Sequence, residues 1–155
     1  MQNNNHINIQ YVGLIASSMF AGVMLCIGVG LGGYWLTVDA AVYAQMFQNI
    51  FPYLVPCIAL TLLPGLFGVF KSYRSESDSA QKVLWRNSLI GIVLSVLITS
   101  FVALPLNFMI WSDNTPASEI ETLLVIWLIM HAARLAAAFT GVIYAMKALS
   151  SRATH

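Results

Sequence analysis

Four apolar stretches, near residues 11–35, 48–70, 84–111 and 121–147, are each long enough to cross about 30 Å of hydrocarbon as an α-helix. A segment surrounded by lipid must satisfy its own backbone, so it is either helical or part of a closed barrel. The alternation of polar and apolar residues that marks a barrel strand is missing here. Only 8% of the 155 residues are charged and 59% are hydrophobic, whereas a water-soluble domain devotes about a quarter of its residues to Asp, Glu, Lys and Arg. The expected fold class is therefore all-α. Residues 1–155 should form one integral membrane domain, an up-down-up-down four-helix bundle, because short connections make sequential helices antiparallel neighbours.

The expected connections are a polar stretch around Thr37 to Asn49, the charged loop Lys71 to Lys82, and the short segment Ser112 to Glu119. Every Lys and Arg except Arg134 (Lys71, Arg74, Lys82, Arg86, Lys147 and Arg152) falls in the second loop, on its flanks or near the C-terminus. The positive-inside rule then places both termini and the middle loop in the cytoplasm, with Asp39, Asp113, Glu119 and Glu121 outside. A bacterial cytoplasmic (inner) membrane is the expected location. The first ten residues are polar and carry no Lys or Arg ahead of the apolar run, so the first helix is expected to be retained rather than cleaved as a signal peptide. With a net charge of +1 and no basic stripe, nucleic acid is not an expected partner. Cys26 and Cys57 both fall in apolar runs, which argues for packing roles rather than a disulfide framework.

Helices in lipid approach closely at small residues, and Gly28, Gly32, Ala133, Ala137 and Gly141 are expected at such faces. Pro52, Pro56 and Pro64 in the second span and Pro105 in the third remove backbone donors and can bend helices around a cavity.

One residue stands out against this background. Arg134 lies thirteen positions from both Glu121 and Lys147, which at 1.5 Å per residue is about 20 Å from either end. A guanidinium at that depth costs about 2.5 kcal/mol or more and must face the bundle. No span supplies a carboxylate to pair with it. Carbonyls, amides, water or an anionic ligand must satisfy it, and a structural arginine held by carbonyls that the prolines free stands beside an anion or enolate binder. His131 precedes Arg134 by three residues and Trp127 precedes His131 by four, so the three share one side of the fourth helix. An uncharged imidazole beside a guanidinium can accept a proton or bind a metal. Taken singly, His131 can equally be a packing histidine and Trp127 an interfacial anchor. Asn107, near the outer end of the third helix, offers an amide donor and acceptor. Gln45, Gln48 and Asn49 begin the second span on the same side, and one outward-opening pocket could collect them all.

No metal site is expected, since one intramembrane histidine is too few for a closed zinc or copper site, and His6 and His155 are terminal. Cofactor-free chemistry is expected, with a haem carried axially by His131 as the alternative. The P-loop, HExxH, GxSxG and CxxCH signatures are absent.

A glycine-rich first helix (AGVMLCIGVGLGG), the stretch FQNIFP, PLN near the end of the third helix and WLIMHAAR in the fourth together resemble the anthrone-oxygenase-like integral membrane family. The resemblance runs from about Gly13 to Met146. It implies a four-helix membrane protein and, in some fungal relatives, oxidation of an anthrone to an anthraquinone. Carried over by position, the family's motif residues are Asn107, Trp127, His131 and Arg134. The implied chemistry begins with removal of an acidic methylene proton, giving an electron-rich enolate that passes an electron to O₂ without metal or flavin. His131 suits the base, Arg134 and Asn107 the developing oxyanion, and Trp127, with Gln48 and Asn49, the bound substrate.

Two other readings stand beside this one. A non-enzymatic bundle could bind a lipophilic small molecule or serve as a subunit of a homo-oligomer or larger membrane complex, consistent with the lack of any sizeable loop. Transport of a small anion past Arg134 has less support, because no duplicated inverted half is visible.

Overall fold

A computed structural model describes residues 2–112 and 114–151, without the side chains of residues 2–6 and 117. Asp113, Arg152 and His155 lie outside the described residues, as does the side chain of His6. Four long helices pack antiparallel as a bundle, and each is long and apolar enough to cross a membrane. Helix α1 comprises Gln2–Cys26, a π-helical turn Ile27–Leu31 and Gly32–Trp35. Helix α2 is Ala40–Ser75, and α3 comprises Ser79–Ile98, a second π turn Thr99–Ala103 and Leu104–Ile110. Helix α4 is Ala117–Ser150.

The helices outrun the apolar stretches that announce them. Most of the polar segment Thr37 to Asn49, expected as a connection, is the first part of α2, and only Leu36 to Asp39 turn the chain. Ala40 to Asn49 contain no Gly or Pro and several strong helix formers, so the helix continues past the apolar boundary. The loop expected from Lys71 to Lys82 likewise shrinks to Glu76, Ser77 and Asp78. Buried Glu76 organises that turn, its Oε1 accepting from the backbone N–H groups of Ser77 at 3.1 Å and Asp78 at 3.2 Å. Asp78 then caps α3, its Oδ1 accepting from Gln81 N at 2.8 Å.

Lys71, Arg74, Lys82, Arg86 and Lys147 gather at one end of the bundle, and Asp39, Glu119 and Glu121 at the other. In the half nearer the basic end, helices touch backbone to backbone. A Cβ on Gly68 would lie 2.5 Å from Gly13 Cα, and one on Gly91 would lie 2.7 Å from Gly141 N and Ala137 O. These contacts make α1 with α2 and α3 with α4 the two tightest pairs, leaving a looser seam between α2 and α3. Gly141 and Ala137 therefore pack as expected, whereas Ala133 is exposed. Cys26 and Cys57 are also exposed, in an apolar groove between α1 and α2, which corrects the packing role expected for them. Apolar neighbours in sequence do not distinguish a lipid-facing position from a core one.

In the half nearer the acidic end, large side chains fill the space between helices: Phe20 and Met24 from α1, Tyr43 and Phe47 from α2, Ile110 from α3, and Leu124 and Trp127 from α4.

Candidate functional site

Phe47 is the hub of the aromatic packing. Its ring stacks on Tyr43 at 5.7 Å and meets the edges of Phe51, Trp111 and Trp127 at 6.1, 5.5 and 5.4 Å. Rings this wide hold α2, α3 and α4 apart, and a cavity of about 240 Å³ lies beneath them. A cavity on the order of 150 Å³ admits benzene, so this one has room for a larger aromatic. Most of its wall comes from α2, on the segment that contains Pro52 and Pro56. Thr99, Leu104 and Asn107 of α3, Ile27 of α1, and Trp127 and Arg134 of α4 complete it.

The expected stripe on α4 is present. Trp127 stacks on His131 with ring centroids 5.1 Å apart, and the Arg134 guanidinium carbon lies 5.5 Å from the Trp127 ring centre. All three are buried, at 2%, 1% and 6% exposure. Long helical side chains lean toward the helix N-terminus, so Arg134 reaches back toward His131 and Trp127.

Both ring nitrogens of His131 are engaged. Nε2 is 2.8 Å from the Met24 carbonyl oxygen, which can only accept, so Nε2 carries the hydrogen. Nδ1 then has a free lone pair, which accepts from Arg134 Nε at 2.9 Å and is also approached by Nη2. The neutral Nε2–H tautomer follows from these partners.

The first helix is shaped to receive this ring. A Cβ on Gly28 would lie 2.6 Å from His131 Nε2, so only glycine leaves room for the imidazole. Gly28 sits inside the π turn Ile27–Leu31, a local departure from α-helical pairing of the kind often found at functional sites. Met24, whose carbonyl accepts from His131, lies about one helical turn before Gly28. The second π turn, Thr99–Ala103, precedes Pro105, whose missing N–H and bulky ring disturb the turn before it. The two π turns thus flank the site from α1 and α3.

The guanidinium carries five N–H groups, and its only hydrogen-bond partner among the described residues is His131 Nδ1. It is not tied to helix carbonyls, which was the structural alternative. Two further polar atoms on cavity-lining residues have no partner among the described residues: Asn107 Oδ1, on a residue 3% exposed, and Trp127 Nε1. A buried polar group left unpaired costs about 1–3 kcal/mol. The residues around this otherwise apolar cavity thus include a cation and two side chains whose buried polar atoms, an indole N–H and an amide oxygen, have no partner among the described residues.

Asn107, Trp127 and Arg134 line one cavity, and His131 stands behind Arg134. Gln45 and Gln48 do not join them. They line a separate crevice of about 390 Å³ at the acidic end with Trp111, Ser112 and Thr115. Asn49 is exposed and lines neither space. Helix rotation separates these side chains: Phe47 and Phe51 turn inward, so Gln48 and Asn49 between them turn elsewhere. The single outward pocket expected from sequence is in fact two spaces.

Sequence reasoning missed Phe47, Phe51, Thr99, Leu104 and the Met24 carbonyl. The i, i+4 spacing of Phe47 and Phe51 was a usable signal. Among the described residues no group of three or more His, Cys, Asp or Glu side chains could hold a metal ion. His131, with both nitrogens engaged, presents none to a haem iron in this arrangement. No protein-family model matches the chain, and no curated protein sequence or solved structure matches it either.

Proposed function

We propose that the cavity binds a lipophilic aromatic compound through an oxygen that carries, or acquires, negative charge, and that the protein promotes its oxidation by O₂ as the resemblance to anthrone oxygenases implies. The observation that carries the binding reading is Arg134, a buried guanidinium at an apolar cavity with no carboxylate partner among the described residues. An enolate or phenolate oxygen supplies the missing charge. Trp127 Nε1–H suits the same oxygen or its neighbour, and Asn107 Oδ1 suits a hydroxyl on the ligand. Charge-assisted hydrogen bonds in a low-dielectric site favour the anion over its neutral parent.

In the resting arrangement Arg134 occupies the basic nitrogen of His131. When the guanidinium turns to a substrate oxygen, Nδ1 is released and can take the methylene proton. The enolate then gives an electron to O₂, and the overall change is anthrone CH₂ plus O₂ to quinone C=O plus H₂O. O₂ and flat apolar aromatics both concentrate in bilayers, and the cavity lies within the apolar length of the helices.

A second reading has an observation of its own. Because neither His131 nitrogen is free at rest, the site can bind without a resident base, as a non-enzymatic lipophile-binding bundle or subunit would. Oxygen uptake by the detergent-purified protein with anthrone separates the two. The oxygenase reading expects one O₂ consumed and one anthraquinone formed per anthrone, with the rate lost in His131→Ala. Binding without uptake leaves the second reading. An absorbance spectrum and metal analysis of the same sample would reveal any haem or metal.

We place the basic end in the cytoplasm under the positive-inside rule, in a bacterial inner membrane. Protease accessibility of tags at the two ends tests that orientation.

A further inference from the structure

The cavity does not end at Arg134. Leu63 of α2 lines it and also lines a second apolar space of about 380 Å³, where it is joined by Leu66, Phe67 and Phe70 of α2 and by Leu89 and Val93 of α3. The two spaces share that side chain as a wall and lie in succession along the loose seam between α2 and α3 toward the basic end. Leu63 and Phe70 are seven positions apart, about 10 Å of helix. Leu63, Phe67, Phe70 and Val93 are all exposed on the outer surface of the bundle, so the furrow opens sideways into lipid. Polar groups cluster at one end of the combined space, and the other end is apolar throughout.

We propose that the ligand is an amphiphile, a phenolic aromatic head bearing a long alkyl or isoprenoid chain, with the head at Arg134 and the chain in the furrow past Leu63. The proposal rests on the binding reading above and adds the tail. A chain lying there remains in contact with lipid while its head is inside the protein, so the ligand enters laterally from the bilayer without crossing water. The occupant follows from continuity: the furrow adjoins a cavity lined by a buried cation, and an amphiphile anchored there has its chain directed along the seam.

The test compares 2-decylhydroquinone with 2-methylhydroquinone, bound anaerobically to the full-length protein in nanodiscs and followed by quenching of tryptophan fluorescence. Val93 lines the furrow but not the cavity, so Val93→Phe fills the tail site and leaves the head site intact. Val93→Phe should weaken the decyl compound tenfold or more and change the methyl compound less than twofold. Ile90→Phe, on the exposed surface of α3 and outside both spaces, should change neither. Phe67→Ala removes a furrow wall without adding bulk and should also weaken only the decyl compound, which keeps the test informative if Val93→Phe does not fold. If Val93→Phe and Phe67→Ala leave both compounds unchanged, the furrow holds ordinary lipid only; the tail proposal is overturned and the head site stands. Equal weakening of both compounds also overturns it. If neither compound binds the wild-type protein, the head reading and the tail proposal fail together.

Discussion

The two halves of the bundle use the same four helices in opposite ways. Toward the basic end, Gly13 meets Gly68 and Gly91 meets Gly141, so that backbones touch and no space remains between paired helices. Toward the acidic end, Phe47, Trp111 and Trp127 wedge the helices apart over a cavity around which a guanidinium, an indole N–H and an amide oxygen lack full partnership among the described residues. Lipid supplies little driving force for helix association, so close contact is what holds such a bundle together. Buried polar atoms without a partner among the described residues occur in both halves, with Ser17, Trp85, Ser88 and Ser95 toward the basic end. What sets the acidic half apart is the aromatic wedge and a cavity with a buried guanidinium on its wall.

The contrast is broken most severely by filling the tight half. Gly68→Leu places a side chain where even a Cβ is 2.5 Å from Gly13, and overpacking typically costs about 1–3 kcal/mol, occasionally more. The folded fraction in detergent, read by thermal melting, should fall sharply. Gly30→Ala, whose Cβ meets nothing within 4 Å, should melt like the wild type.

Arg134→Ala should do the reverse. Truncating one partner of a buried charged hydrogen bond costs about 2–5 kcal/mol of binding, so affinity for an anionic aromatic should drop at least about 30-fold. The melting temperature should fall far less than with Gly68→Leu, because no helix carbonyl depends on the guanidinium and only His131 Nδ1 loses its donor. A collapse in stability with no effect on binding would return Arg134 to a structural role.

A double-mutant cycle examines the seam between the two regimes. Gly28→Ala should be destabilising because its Cβ would lie 2.6 Å from His131 Nε2. His131→Ala in the same chain should relieve most of that cost, with a coupling of about 1–3 kcal/mol. Additive effects would mean that the ring does not rest on Gly28.

Asn107→Leu carries the smallest expected effect. With Oδ1 unpaired among the described residues, the substitution should leave stability unchanged or slightly raised. It should weaken a hydroxylated ligand about fivefold, as loss of a hydrogen bond worth about 1 kcal/mol implies.

The number of helices, their antiparallel order and the α4 stripe were legible in the sequence, because span length and the 3.6-residue repeat are properties of local segments. The helix ends were not: Ala40 to Asn49 and Lys71 to Ser75 are polar enough to mark a lipid boundary yet remain helical. The site was legible where its residues share one helix, as Trp127, His131 and Arg134 do. It failed where rotation of a second helix decides the outcome, as with Gln48 and Asn49, which flank the cavity wall in sequence without lining it. Polarity suggested those two residues, whereas Phe47 and Phe51, apolar and given no site role, build the wall. Nor could local sequence show that Gly28 makes room for His131, since that contact joins residues about a hundred positions apart.

The most direct test of the central claim, that the acidic half holds an aromatic anion on Arg134, is the anaerobic absorption spectrum of 1,8-dihydroxyanthrone titrated with wild-type protein and with Arg134→Ala in nanodiscs. The account predicts a saturable rise of the anion's long-wavelength band with the wild type, at a pH where the free compound is neutral, and none with the variant. An equal rise with both proteins, or none with either, would contradict it.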